Sequence, residues 1–172
     1  MRVGMSALLD GLKNLNLKNV ASPSTLRMLW SGLRAVPGGG VVMGRLVGQM
    51  APYTGTIRPE VLTLEPGYAK VRMADRRAVR NHLNCVHAIA LMNLGEATTG
   101  LAMMISMPDG TRGIITHLEM DYLKKARGPI TGECSVPMVT STEKKEYEVV
   151  GDLKNEAGEV VARAKAKWQV GV

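Results

Sequence analysis

Apolar residues recur at helical spacing in the first part of the chain and alternate with polar residues in its last third. Ser22-Pro23-Ser24 predicts a helix start with Ser24 as the N-cap, and leucine or tryptophan follows at helical spacing up to Leu33. Pro37-Gly38-Gly39-Gly40 ends this helix. Residues 41–50 then predict a second packing helix rather than a phosphate loop, because no Lys-Ser/Thr pair follows the glycines.

The middle of the chain predicts two strands and one long helix. Residues 54–65 and 68–74 are strand-like and are separated by the turn dipeptide Pro66-Gly67. Residues 87–107 form a run that is rich in Ala, Leu and Met and contains no proline. This run predicts a long apolar helix.

Period-two alternation predicts four more strands. One predicted strand face contains Ile114, Thr116, Leu118, Met120 and Tyr122. Residues 130–139 and 147–153 predict two strands, and Asn155-Glu156-Ala157-Gly158 turns the chain into a last one at 160–170. Hairpin strands pair antiparallel, and an apolar sheet face needs a cover. We therefore expect an α+β fold whose sheet curls around the long helix.

Composition favours a single globular domain. The chain has 172 residues, of which 45% are hydrophobic and 22% charged. Its two cysteines, Cys85 and Cys134, lack disulfide-framework or zinc-site spacing, so we expect a cytoplasmic protein with no metal site. Residues 1–12 are a short amphipathic piece rather than a signal peptide. Asn93 and Glu96, near the middle of the apolar run, argue against membrane insertion.

The net charge of +7 fits three classes of partner: nucleic acid, an anionic membrane surface or a phosphorylated ligand. Sites for single-stranded nucleic acid interleave basic residues with stacking aromatics, and this chain has only 2 Trp and 4 Tyr. No basic recognition helix is evident either. We therefore expect no nucleic-acid partner, and a polyanionic ligand suits the charge at least as well.

Candidate chemistry gathers at Asn81-His82-Leu83-Asn84-Cys85-Val86-His87 and in the apolar run behind it, where Glu96 is the one acid. A carboxylate two turns inside an apolar helix loses hydration and needs a partner or a use. Glu96 is either catalytic or a buried acid bonded to Asn93, Thr99 or a partner chain. His87 either carries a proton or bonds the backbone at the helix start.

The order of elements and the motif at the helix start resemble the hotdog-fold acyl-CoA thioesterases, particularly the phenylacetyl-CoA thioesterase-like group. That group carries N-H-x-G-x-x-H-G-G followed by x-x-x-x-L-x-D. The residues that match without a gap are Asn81, His82, His87 and Leu94. Glu96 falls at the position of the catalytic acid, and Lys125-Ala126-Arg127-Gly128 is a strand junction typical of such proteins. The resemblance extends from about Thr54 to the C-terminus.

The resemblance implies a hotdog fold, an antiparallel sheet wrapped around a long central helix. Residues 1–52 would be an N-terminal helical extension packed on a hotdog domain of residues 53–172. It also implies hydrolysis of an acyl-CoA or acyl-carrier thioester, with no cofactor besides the CoA of the substrate. Glu96 would be base or nucleophile, the Ala88 N–H would polarise the carbonyl, and Asn81 would orient water or substrate.

Further site residues follow from the same resemblance. His87 is a third catalytic candidate beside Glu96 and Asn81. The candidate substrate-binding residues are Thr99, Lys124, Lys125 and Arg127. Thr99 either positions water or bonds back to the preceding turn, and the three basic residues either dock a CoA phosphate or form a solvated edge.

The length of the helix and the departures from the motif both bear on whether the protein is a catalyst. Positions 88 and 96 lie about 12 Å apart along a helix, so a neighbouring subunit has to supply one of them, in a homodimer or a dimer of dimers. Asn84, Ala88 and Ile89 replace glycines that let a carbonyl approach free N–H groups. Ala88 and Ile89 in place of glycines favour the alternative of a non-catalytic acyl-CoA-binding or acyl-sensing protein. A third hypothesis is a basic module that binds polyanions in a salt-dependent way.

Overall fold

The computed structural model describes residues 22–172. In this part of the chain the elements are α1 (Pro23–Leu33), α2 (Gly39–Met50), α3 (Pro52–Gly55), β1 (Glu60–Glu65), β2 (Tyr68–Met73), α4 (Ala88–Ser106), β3 (Arg112–Tyr122), β4 (Ile130–Ser135), β5 (Lys145–Lys154) and β6 (Val160–Gly171). The six strands form one antiparallel sheet in the order β1-β2-β4-β5-β6-β3. The predicted α+β class, with a six-stranded sheet and a long helix, is confirmed.

Helix α1 begins earlier than the sequence suggested. Ser22 is the N-cap, since its hydroxyl accepts the N–H of Thr25 at 3.2 Å. Pro23 takes the first helical position, where its missing N–H needs no partner. The predicted N-cap, Ser24, is therefore wrong and lies in the first turn. The amphipathic piece at 1–12 lies outside the described residues, and the division between 1–52 and 53–172 stays a prediction.

Two predicted strand boundaries are also wrong, and proline accounts for both. Strand β1 begins at Glu60 rather than at residue 54, because Pro52 opens the short helix α3. Strand β4 ends at Ser135 rather than at 139. Pro137 follows closely and has no N–H to donate to a sheet.

Glycines let helix α2 pack directly on β1. A Cβ on Gly40 would clash with the carbonyl oxygen of Val61, and a Cβ on Gly44 would clash with that of Pro59. Backbones approach this closely only where no side chain intervenes. The glycines of this segment therefore fix the N-terminal helices to the edge of the sheet.

Helix α4 covers one face of the sheet through small residues. A Cβ on Gly132 of β4 would clash with the Thr98 side chain, and a Cβ on Gly95 would lie 2.7 Å from that of Ala164 on β6. Among residues 22–172, α4 is the helix long and apolar enough to cross a membrane, yet 67% of its apolar window is buried inside the protein. This burial is what a core helix shows.

Strand β3 contains a bulge, so the residues predicted to share one face of this strand do not all point to the same side of the sheet. Its pairing with β6 skips one residue between Ile115 and His117, and one extra residue exchanges the inward and outward positions. Leu118 and Met120 accordingly pack on the core, whereas Ile114 is 63% exposed. Within the described residues β3 pairs only with β6, so it is an edge strand.

Candidate active site

The loop before α4 is shaped by the side chain of Asn81. Its Oδ1 accepts the backbone N–H of Leu83 at 2.9 Å and that of Cys85 at 3.3 Å. Asparagine commonly turns a chain in this way. The carboxamide oxygen is thus committed to the loop, and the catalytic role of Asn81 stays a prediction.

Asn84, which stands where the motif has a glycine, adopts a left-handed backbone conformation. Its φ is 53°, in the left-handed region that asparagine enters more readily than other residues with a Cβ. Nη1 of Arg80 donates to its side-chain oxygen at 3.1 Å. This departure from the motif is therefore compatible with the same loop shape.

The start of α4 presents backbone N–H donors. His87 is the N-cap, and its Nδ1 accepts the N–H of Ile89 at 3.1 Å. The N–H groups of Ala88 and Ala90 have no acceptor within residues 22–172. The hydroxyl of Tyr122 donates to the carbonyl oxygen of Ala88 at 3.1 Å and holds that residue in place. His87 thus bonds the backbone at the helix start, which is one of the two roles considered for it. The free N–H donors at this helix start favour the binding of negative charge.

Asp75 joins the end of β2 to the loop before α4 and to the segment 123–129. Its carboxylate accepts from Nε of Arg80 at 2.6 Å and from the N–H of Gly128 at 3.0 Å. The hydrogen bond from Arg80 is the main cause that lowers the pKa of Asp75, against the opposing effect of burial. The sequence held a signal for it, because Asp75 is the only acid between Glu65 and Glu96.

The predicted phosphate-binding residues lie beside this helix start. The N–H of Val86 donates to the carbonyl oxygen of Ala126 at 2.9 Å, which fixes their segment next to α4. Lys124, Lys125 and Arg127 are all exposed, and Nζ of Lys124 pairs with Glu159 at 2.6 Å. Their role in binding a substrate stays a prediction.

Glu96 lines a pocket of about 880 Å³ beside the second half of α4. One side of the pocket comes from α1, α2 and α3. The other side comes from α4, the start of β3 and Trp168 of β6. Its charged lining residues are Glu96 and Arg112, and most of the others are apolar. The pocket therefore combines one carboxylate with a mainly apolar lining that is open to solvent.

The Glu96 carboxylate is half-buried and forms no hydrogen bond or ion pair within residues 22–172. Nδ2 of Asn93 donates to the carbonyl oxygen of Tyr53 at 3.0 Å. The Thr99 hydroxyl bonds back to the carbonyl oxygens of Gly95 and Glu96 at 3.0 and 3.1 Å. Neither side chain is therefore the partner of the carboxylate. Thr99 is also fully buried, so its predicted contact with substrate finds no exposed surface here.

Metal binding and cysteine chemistry find little support in the described residues. Within residues 22–172, no three His, Cys, Asp or Glu side chains come together as a metal site would require. Burial raises the pKa of the Cys134 thiol to about 12, which removes it as a nucleophile near neutral pH.

Two features of the site were not predicted from the sequence. One is the hydrogen bond by which Tyr122 holds Ala88, and the other is the contribution of the N-terminal helices to the lining of the pocket.

A family profile described as a domain of unknown function, DUF4442, matches residues 39–170. The chain belongs to the DUF4442 family. A search of curated protein sequences found no match.

Solved structures similar to this DUF4442 protein include hotdog-fold proteins described as thioesterases. A genomics target is 30% identical over 84% of this chain and 96% of its own, with a TM-score of 0.72. A Pseudomonas aeruginosa protein described as a probable thioesterase is 25% identical over 79% and 96%, with a TM-score of 0.69. A Ralstonia eutropha protein described as a thioesterase related to phenylacetic acid degradation is 20% identical over 69% and 89%, with a TM-score of 0.60. The hotdog fold and the resemblance to these thioesterases are confirmed.

Proposed function

We propose that this protein hydrolyses the thioester of an acyl-CoA or acyl-carrier substrate, with Glu96 as the general base or nucleophile. The observation that carries the proposal is the Glu96 carboxylate, half-buried on the wall of an apolar pocket and without a bonding partner among residues 22–172. A carboxylate without a protein partner is free to hydrogen-bond a water molecule and to act on it as a general base. The thioesterase descriptions of the structural relatives support the same reaction class.

In the base mechanism, Glu96 takes a proton from a water molecule as the water oxygen attacks the thioester carbonyl carbon. The carbonyl oxygen becomes an oxyanion, which needs hydrogen-bond donors aimed at it. The tetrahedral intermediate then collapses, the C–S bond breaks, and the thiolate leaves with a proton from Glu96. The products are a carboxylic acid and a free thiol, and Glu96 returns to its starting state.

The oxyanion donor in this proposal is the N–H of Ala88 from the partner subunit. Ala88 and Glu96 of one helix are separated by about 12 Å, too far for one carbonyl. A two-fold dimer brings the start of one helix to the middle of another. The edge strand β3 supports such a dimer, because its 11 residues leave one side of the backbone without a partner strand in the described chain.

The charge around the helix start supports an anionic carrier. Lys125 and Arg127 are exposed beside Ala88, close to the proposed oxyanion donor. A CoA or phosphopantetheine arm carries phosphate groups, which such side chains bind. The proposed assembly is a homodimer or a dimer of dimers, acting in the cytoplasm.

One observation favours a second candidate function, a non-catalytic acyl-CoA-binding or acyl-sensing protein. The His87 side chain accepts the N–H of Ile89, so one donor at the helix start is already occupied. The Ile89 side chain replaces a glycine of the motif and is 48% exposed at the same place. An acyl-CoA would then bind without hydrolysis.

Thiol release from short, medium, long and aromatic acyl-CoAs separates the two functions. Wild type is compared with Glu96→Ala and with Glu143→Ala, a control that removes an exposed acid. We expect turnover by wild type and by the control, and a loss of about 10²–10⁴-fold in Glu96→Ala with binding retained. Saturable binding without thiol release from any substrate would establish the second function instead.

A further inference from the structure

The pocket beside Glu96 is larger than the reaction centre requires. Its volume of about 880 Å³ lies in the upper part of the range for small-molecule sites, roughly 300–1,000 Å³. A thioester carbonyl and one water molecule occupy only a small part of it. The rest of the lining is mainly apolar, with Arg112 as the charged residue besides Glu96, so the remaining volume suits an apolar group.

The lining residues of α4 form a stripe along the helix. They are Glu96, Ala97, Gly100, Leu101 and Met104. Residues three and four apart share one helix face, and the stripe from 96 to 104 is about 12 Å long. An extended aliphatic chain of roughly ten carbons spans such a length. A carbonyl held at Glu96 therefore has room for an extended chain directed toward the C-terminal end of α4.

The opposite wall belongs to the N-terminal helices. Val47 and Met50 of α2, Ala51 between α2 and α3, and Thr54 of α3 face the stripe across the pocket. The hydrogen bond from Asn93 to the carbonyl oxygen of Tyr53 ties α3 to α4. The width of the pocket is consequently set by where α2 and α3 sit against α4.

Methionine and glycine give this pocket its shape. Met50 and Met104 stand on opposite walls, and their flexible side chains adapt to an unbranched chain. Gly100 brings α4 against Trp168, since a Cβ there would lie 3.0 Å from the indole ring. The pocket thus has flexible methionine side chains on α2 and α4 and a tryptophan ring against Gly100.

We propose that α2 and α3 form the selecting wall of an acyl-chain site that starts at Glu96 and prefers straight aliphatic chains of about ten carbons. The proposal rests on the proposed thioester hydrolysis for its reaction, but the selection is made by residues away from the reacting atoms. Each buried methylene strengthens binding about fourfold. Affinity should therefore rise with chain length until the stripe is filled, whereas a phenylacetyl group contacts only its beginning.

Ala51→Phe tests this assignment by narrowing the far wall. Ala51 lines the pocket and is exposed, so a larger side chain there has room to enter the pocket without displacing core residues. Ala157→Phe is the matched control, because Ala157 is exposed in the turn before β6. Met104→Ala makes the opposite change and lengthens the space. For each variant, kcat/KM from thiol release and the dissociation constant from calorimetry are measured with butanoyl-, decanoyl-, dodecanoyl- and phenylacetyl-CoA.

We expect wild type and Ala157→Phe to prefer decanoyl-CoA. Ala51→Phe should lower the ratio of decanoyl to butanoyl affinity by about tenfold or more, and Met104→Ala should move the optimum toward dodecanoyl-CoA. The acyl-site assignment would be overturned if both pocket variants kept the chain-length profile of wild type, or if wild type preferred phenylacetyl-CoA. Thiol release in either case would leave the proposed hydrolysis intact. Binding that depends on Ala51 without any thiol release would support the acyl site and overturn hydrolysis.

Discussion

The start and the middle of helix α4 are built in opposite ways. At the start, polar side chains hold the backbone: the Asn81 oxygen, the Asp75 carboxylate and the Tyr122 hydroxyl each bond main-chain groups. In the middle, Glu96 lines a mainly apolar pocket and has no bonding partner among residues 22–172. The first region offers positioned donors, and the second offers a carboxylate and room for an apolar chain.

This difference fits the divided site of the proposed mechanism. A hydrolytic site needs both an oxyanion donor and a base at one carbonyl, and in the proposal each region supplies one of the two. The helix that carries both also keeps them about 12 Å apart. In the proposed mechanism a single subunit would therefore hold two half-sites, which a two-fold dimer would join.

Ala88→Pro gives the largest expected change at the helix start. Ala88 is the first residue of α4, where proline is well tolerated, and His87 has the extended backbone, with ψ 139°, that precedes proline. The substitution removes one N–H and little else. We expect kcat to fall about 10²–10³-fold, the cost of one oxyanion donor, with an unchanged far-UV circular dichroism spectrum. Ala88→Gly keeps the N–H and should retain activity, and equal losses in the two variants would contradict the donor role.

Mixing two inactive variants tests whether the half-sites meet across subunits. A heterodimer of Ala88→Pro with Glu96→Gln contains one site with both native groups and one site with neither. Random reassociation makes half of the dimers hetero, so we expect recovery of about a quarter of wild-type activity. The measurement is thiol release after the two proteins are mixed, unfolded and refolded together. No recovery in a mixture proven to contain heterodimers would place both groups in one subunit.

Asp75→Asn probes the polar framework of the helix start. Asp75 bonds Arg80 and the N–H of Gly128, so its loss should lower the free energy of unfolding by about 1–3 kcal/mol. Its pKa is lowered in the folded state, so this stabilisation is present above the unfolded value of about 3.9 and is lost as the pH falls through the folded value. Urea unfolding at pH 7 and near pH 3 measures both effects.

Asp109→Asn is the control for that experiment. Asp109 pairs with Arg27 at 2.7 Å on an exposed part of the surface, where such a pair contributes about 1 kcal/mol or less. The difference between wild type and Asp75→Asn should exceed that of the control at pH 7 and shrink in acid. A control effect as large as that of Asp75→Asn would argue against a special position for Asp75.

The fold could be predicted from the periodicity of apolar residues and from the motif at the helix start, because both depend on local backbone geometry that the tertiary structure preserves. The long helix was predicted at 87–107 and is observed at Ala88–Ser106, and the last strand was predicted at 160–170 and is observed at Val160–Gly171. The bulge in β3 escaped prediction. An extra residue in one strand is defined by the partner strand, which the alternation within β3 does not contain.

The site was harder to predict than the fold for a related reason. Glu96 stood out because an acid in an apolar run conflicts with its neighbours in sequence. Asp75 and Tyr122 bond residues far along the chain, Gly128 and Ala88, so no local pattern marks their partners. The pocket depends on where α2 and α3 lie against α4, and their apolar residues look alike in sequence whether they pack or line a cavity.

The smallest effect is expected at Asn84, where the backbone alone is tested. Asn84→Ala and Asn84→Gly both remove the side chain bonded to Arg80, so they differ only in their tolerance of φ 53°. Alanine should lower the free energy of unfolding by about 1 kcal/mol, whereas glycine should stay within about 0.5 kcal/mol of wild type. Urea unfolding of the two variants gives the difference directly. Equal stabilities of the two variants would show that the loop does not need a left-handed residue at position 84. Asn84 would then no longer explain how the helix start keeps its shape without the glycine of the motif.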